Sequence, residues 1–131
     1  MEGLIGQLVT LNLNHEGQQQ LVRLIVQMQN AVDEQNIDIY ATLNQQFHDM
    51  LAKYTENFAL YDTYRKLVVQ LRLFRSHTFR HSPQTIKLSL QEHIAILNAI
   101  TAGNVNEASE LLRKHAEDSL KRLDATINKQ Q

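Results

Sequence analysis

Residues 58–80 read FALYDTYRKLVVQLRLFRSHTFR, with no glycine or proline among them. Leu60, Tyr64, Leu67, Leu71 and Phe74 recur at three- and four-residue spacing, the period of one helix face, and Asn57 stands ahead of them as an N-cap. At about 1.5 Å per residue this makes a helix roughly 35 Å long, a backbone for a bundle.

The same signal continues on both sides. Upstream, the spacing predicts helices over about 1–13, 17–34 and 37–54. The second carries Leu21, Leu24, Ile25, Met28 and Val32, and the third Ile37, Tyr40, Leu43, Phe47, Met50 and Leu51. Asn14-His15-Glu16-Gly17 and Asn36 mark the joints between them. Downstream, Ser82-Pro83 reads as an N-cap and first-turn proline of a fifth helix through Ile86, Leu90, Ile94, Leu97 and Ile100, closed by Gly103. A last helix over about 105–129 carries Val105, Ala108, Leu111, Leu112, Leu120, Leu123 and Ile127, with a Gln-rich end expected to fray. One proline and four glycines in 131 residues are too few for the turns of a sandwich or barrel. The expectation is one all-α domain over residues 1–131, with no internal repeat.

Thirteen basic against fourteen acidic residues give a net charge of −1, which excludes a protein that coats nucleic acid by overall charge. No apolar run is long enough for a membrane span and no export signal opens the chain, so a cytoplasmic location without membrane contact is expected. The charge is uneven. Residues 63–87 hold Arg65, Lys66, Arg72, Arg75, Arg80 and Lys87 with no acid, so this stretch is +6 and the remainder −7. It is either a solvated face whose counter-charges lie on the last helix or the wall of an anion pocket.

With no cysteine, any metal ligands are His, Asp, Glu or Asn. His48, His93 and His115 lie on apolar stripes of three separate helices and point inward, and Asn44 precedes His48 by one turn on the same face. Singly, each histidine reads as a hydrogen-bonded core residue. Together, Asn44, His48, His93 and His115 offer three imidazoles and an amide oxygen, in the kind of bundle interior where facing helices build metal sites. The Glu-x-x-His pattern of di-iron bundles, the His-Glu-x-x-His zinc-protease pattern and a glycine-rich phosphate loop are all missing. A phosphotransfer histidine should be exposed, and His48 and His115 have apolar neighbours. His77 and His81, an i, i+4 pair beside Arg75 and Arg80, read as surface or pocket-rim residues.

Asn44-Gln45-Gln46-Phe47-His48, then Asn57 and Leu60, then Ser89-Leu90-Gln91-Glu92-His93 with Ala99-Ile100, Ala108 and Arg113-Lys114-His115, form an ordered set of motifs spanning nearly the whole chain. The set resembles the FCD effector domain of GntR-family transcription regulators of the FadR subfamily. The resemblance implies an antiparallel bundle of six to seven helices, a homodimer, and a central cavity for a small carboxylate effector. In many members a divalent metal, zinc or nickel, is held there by an acid and three histidines. Carried over, the ligands are Asn44, in the place where the pattern usually has Asp, with His48, His93 and His115. An amide in place of a carboxylate leaves the full +2 of the ion unneutralised, which favours an anionic effector. Arg72 or Arg75 is then placed to meet the far carboxylate. The winged-helix DNA-binding domain that precedes this domain in the family has no counterpart in these 131 residues. The expectation is an isolated effector domain that does not bind operator DNA by itself.

Three functions follow from the residues and the resemblance. The first is a metal-assisted ligand sensor without enzymatic activity. The second is a metal-free helical domain binding an acyl or aromatic acid. The third, with the least support, is a metal-dependent enzyme, since the nearest carboxylates, Asp49 and Glu92, each adjoin a histidine and should point about 100° away from it around the helix.

Overall fold

The computed structural model describes residues 1–128, apart from the side chains of Leu73 and of 126–128. It contains six helices among the described residues: α1 (Glu2–Asn12), α2 (His15–Asp33), α3 (Ile37–Lys53), α4 (Phe58–His81), α5 (Thr85–Thr101) and α6 (Val105–Asn128). The all-α bundle expected from the sequence is what forms. The expected fraying of the Gln-rich end concerns 129–131, which lie outside the described residues, as does the Ile127 side chain.

Three asparagines start helices by the same means. The side chains of Asn14, Asn36 and Asn57 accept hydrogen bonds from the backbone N–H groups of Gly17, Ile39 and Leu60, satisfying donors that have no partner within the helix. Asn14 therefore shortens the first joint: only Leu13 and Asn14 interrupt the helices, and α2 begins at His15 instead of at about Gly17. The Ser82-Pro83 expectation is corrected. Ser82 caps the C-terminus of α4, and its carbonyl accepts both the N–H and the hydroxyl of Thr85, so the chain turns through Pro83 and Gln84 before α5 begins. Gly103 closes α5 as expected. At φ +75° it lets its own N–H reach Ile100 O and that of Asn104 reach Ala99 O, the paired bonds of a Schellman motif.

In the bundle, α3 packs between α2 and α4, α5 lies against α2 and α6, and α1 lies along α6. Ile5, Val9, Leu21, Met28, Phe47, Leu51, Ile96 and Leu112 are fully buried at the centre. The α1–α6 crossing is close because Gly6 has no side chain: a Cβ there would meet Ala108 O and Ser109 Cα at 2.8 Å. The face of α4 is divided. Tyr64, Val68, Thr78 and Phe79 enter the core, whereas Leu67 and Phe74 stay exposed and Leu71 is half-buried. These last three, with Leu120 and Leu123 of α6, line a cavity of about 240 Å³ that also touches the start of α1.

Candidate metal and effector site

Asn44 and His48 sit one turn apart on α3, both buried. His93 comes from α5 and His115 from α6, also buried. His93 Nε2 lies 3.0 Å from His48 Nε2, and His115 Nε2 lies 3.3 Å from the same atom. The ligand atoms of all three lie within 4.8 Å of one another. Imidazole nitrogens held about 2.1 Å from one ion, at right or tetrahedral angles to each other, are spaced about 3.0–3.4 Å apart, a spacing that the 3.0 and 3.3 Å separations match, so the cluster could hold a metal ion.

The opposite ring nitrogens are all engaged. His115 Nδ1 is 2.6 Å from Glu92 Oε1, His48 Nδ1 is 3.1 Å from the Tyr64 hydroxyl, and His93 Nδ1 is 3.4 Å from the hydroxyls of both Ser89 and Tyr40. A carboxylate accepts only, so Glu92 assigns the Nδ1 proton to His115. The Tyr64 hydroxyl donates its own proton to Glu2 Oε2 at 3.3 Å, which leaves its oxygen to accept from His48. With Nδ1 protonated, the Nε2 atoms of His48 and His115 each present a lone pair to the common centre, the tautomer that metal binding requires. Burial, then the charge of Arg75 and the neighbouring imidazoles, holds His48 well below the usual histidine range. His93 is lowered in the same way, by burial first and then by His115 and Arg75. Both rings are therefore neutral at pH 7. Burial pushes the Glu92 carboxyl up, but the hydrogen bonds from His115 and Arg122 outweigh it and bring it down to about 2.

The donor set fits a divalent cation on a further observation. Asn44 Oδ1 is buried with no hydrogen-bond partner. An orphaned acceptor of this kind carries a desolvation penalty that a ligand would relieve. Arg75 Nη1 is likewise buried and unpartnered, on the wall of the cavity onto which Asn44 and His115 open. One end of the cavity thus combines an orphaned donor on a cation with an orphaned acceptor beside three imidazoles. The other end is apolar.

Residues 1–118 match the family model of the FCD domain. The chain belongs to the FCD family. The solved structure of Streptococcus agalactiae GntR is similar to it, at 25% sequence identity and a TM-score of 0.79, over 93% of this chain and 53% of that one. This FCD domain therefore spans about half the length of that structure. Comparison with curated proteins gives no match.

Within the FCD domain, the structure gathers His48, His93, His115 and Asn44 and brings Arg75 to the cavity. It does not bring Arg72 there. Arg72 is exposed, donates to Thr42 Oγ1 at 3.1 Å and borders a separate surface depression that includes Arg80, His77 and His81. Among the described residues, the counter-charges found for the basic stretch lie elsewhere than on α6: Arg65 and Lys66 pair with Asp62, and Arg80 pairs with Asp38 of α3. Glu92 does turn away from the common centre, as the helix angle requires, and its role is to hold His115 from outside. Glu2, Tyr64, Tyr40 and Arg122 were not among the residues singled out by the sequence. A tyrosine among leucines on a buried face carries a hydroxyl that needs a partner, and that was the available signal for Tyr64.

Proposed function

We propose that this FCD domain is the ligand-sensing part of a GntR-type transcription regulator. In this reading a divalent ion, zinc or nickel, is held by His48, His93 and His115 with Asn44 as a fourth donor, and a small organic carboxylate binds in the adjoining cavity. The observation that carries it is the convergence of three Nε2 atoms beside a cavity that Asn44 and His115 line and whose wall holds the unpartnered Arg75 Nη1. The ion supplies positive charge and open positions for carboxylate oxygens. Arg75 supplies a forked donor for the same anion, and the leucines and Phe74 exclude water from its apolar part. Arg72 takes no part.

The carboxylates nearest the histidines favour binding over catalysis, because Glu92 is occupied by His115 and Arg122. Regulation needs an effector with different affinities for two arrangements of the protein. Helices α4 and α6 both line the cavity and are the elements whose packing an effector would bias. A homodimer, a cytoplasmic location, and DNA contact through a winged-helix domain outside these residues complete the proposal. The apolar wall formed by Leu67, Leu71, Phe74, Leu120 and Leu123 supports a second reading, a metal-free site for an acyl or aromatic acid.

The test is calorimetric titration of the zinc-equilibrated protein with a panel of small mono- and dicarboxylates. The proposal expects saturable binding of at least one, weakened tenfold or more in Arg75→Ala and in His93→Ala. Binding of long-chain or aromatic acids alone, unaffected by His93→Ala, would select the second reading.

A further inference from the structure

The three histidines are supported from outside in unequal ways. His115 meets the Glu92 carboxylate directly, and Arg122 balances that charge. His93 meets the hydroxyls of Ser89 and Tyr40 and the Ser89 backbone, with no carboxylate among these partners. His48 meets Tyr64, and the Tyr64 hydroxyl passes the contact on to a carboxylate 62 residues away in sequence, Glu2 in the first turn of α1. The chain of donors runs one way, from His48 Nδ1–H to Tyr64 oxygen and from Tyr64 O–H to Glu2 Oε2.

Glu2 is poorly placed for a carboxylate in isolation. Burial raises its carboxyl above the usual range, and the opposing influence of Arg75 and the Tyr64 hydrogen bond does not restore it. Among the described residues Glu2 makes no ion pair with Arg75, which stands on the same cavity wall. A charge kept in such a position is compensated once a cation occupies the histidine centre. None of the four inner donors, one amide and three imidazoles, brings a negative charge, so negative charge can reach the ion only from the layer outside them. Among the described residues, Glu92 and Glu2 are the carboxylates joined to that layer by hydrogen bonds, and the charge of Glu92 is already shared with Arg122.

We infer that Glu2 is a positioning residue of the metal centre, acting on His48 through the Tyr64 hydroxyl, so that metal occupancy and the seating of α1 are coupled. The inference rests on the metal reading above. The seating of α1 is itself well defined, since Gly6 lies directly against the backbone of α6 at Ala108 and Ser109, and α6 carries His115. A bound ion would therefore favour the seated position of the first turn of α1, where Glu2 meets Tyr64. By linkage, a displacement of α1 weakens metal binding to the same extent.

The test uses the metal alone. Zinc affinity of the full chain is measured at pH 7.5 by competition with a chromophoric chelator, for the parent, Glu2→Gln, Tyr64→Phe and the double variant, with thermal midpoints of all four zinc-free proteins. Glu2→Gln is expected to weaken zinc binding about tenfold, the scale of outer-layer substitutions at metal sites. In the Tyr64→Phe background it should have no further effect. The zinc-free Glu2→Gln protein should melt no lower than the parent, because the substitution removes a carboxylate whose charge burial disfavours. That combination, weaker metal binding without a less stable apo fold, separates positioning from a structural role. Unchanged zinc affinity in Glu2→Gln, an equal loss in the Tyr64→Phe background, or a loss that tracks a lowered zinc-free midpoint would each overturn the inference. A parent that binds no zinc would overturn the metal reading itself, and the relay with it.

Discussion

Gly3→Ala and Gly6→Ala add the same methyl group to the same helix three residues apart, yet they should act very differently. At Gly6 the added Cβ meets Ala108 O and Ser109 Cα at 2.8 Å and Ala108 C at 2.9 Å, all backbone atoms of α6 that cannot rotate away. Ordinary contact begins near 3.4 Å, so α1 must retreat by about 0.6 Å along its tightest crossing. Overpacking of this kind costs about 1–3 kcal/mol, against which alanine recovers up to about 1 kcal/mol of helix propensity. The net expectation is a loss of about 1–2 kcal/mol, or roughly 3–8 °C in Tm for a domain of this size. At Gly3 the nearest atom is the Ser109 hydroxyl oxygen at 2.9 Å, on a side chain that can turn aside, with the next at 3.9 Å. Gly3→Ala should therefore stay within about 0.5 kcal/mol of the parent. Urea and thermal unfolding of the zinc-free proteins measure both. A Gly6→Ala protein as stable as the parent would show that α1 shifts freely on α6, and the account of a firmly seated α1 would fail.

Two further predictions follow from the site. Asn44→Asp replaces a neutral donor by a carboxylate, so zinc should be held more tightly while small carboxylates bind the zinc-loaded protein more weakly; equal carboxylate affinities in the two proteins would refute the charge argument. Glu92, brought from 4.5 down to about 2 in the fold, contributes stability that is fully present above about pH 4.5 and is lost as pH falls toward 2. Acid unfolding of the zinc-free parent should lose on the order of 2–3 kcal/mol over that window, and Glu92→Gln should flatten the loss; superimposable acid profiles would reject the assignment.

The helices were legible because their signals are local. The stripes of α2, α3 and α5, the joint at Asn36 and the cap at Asn57 depend on a few neighbouring residues. The errors at Asn14 and Ser82 came from reading a cap or a turn one step out of place, where a side-chain bond to Gly17 or a Thr85 bond to the Ser82 carbonyl decided the boundary. Burial on α4 was harder to foresee. Leu67, Leu71 and Phe74 have the right period but face a cavity, and only the packing of α1 and α6 determines that. For the same reason Arg72 and Arg75 looked equivalent, although one reaches Thr42 at a surface depression and the other the cavity wall. The histidines and Asn44 could be found because they occupy inward helix positions. Glu2 could not, because its partner lies on another helix and nothing in its local sequence points there.

The central claim is that three buried imidazoles form a metal centre, and metal analysis of the parent protein beside His93→Ala, after equilibration with zinc and removal of the excess, tests it most directly. The account predicts about one ion per chain in the parent and none retained by the variant. A parent that keeps no metal, or a variant that keeps as much as the parent, would contradict it.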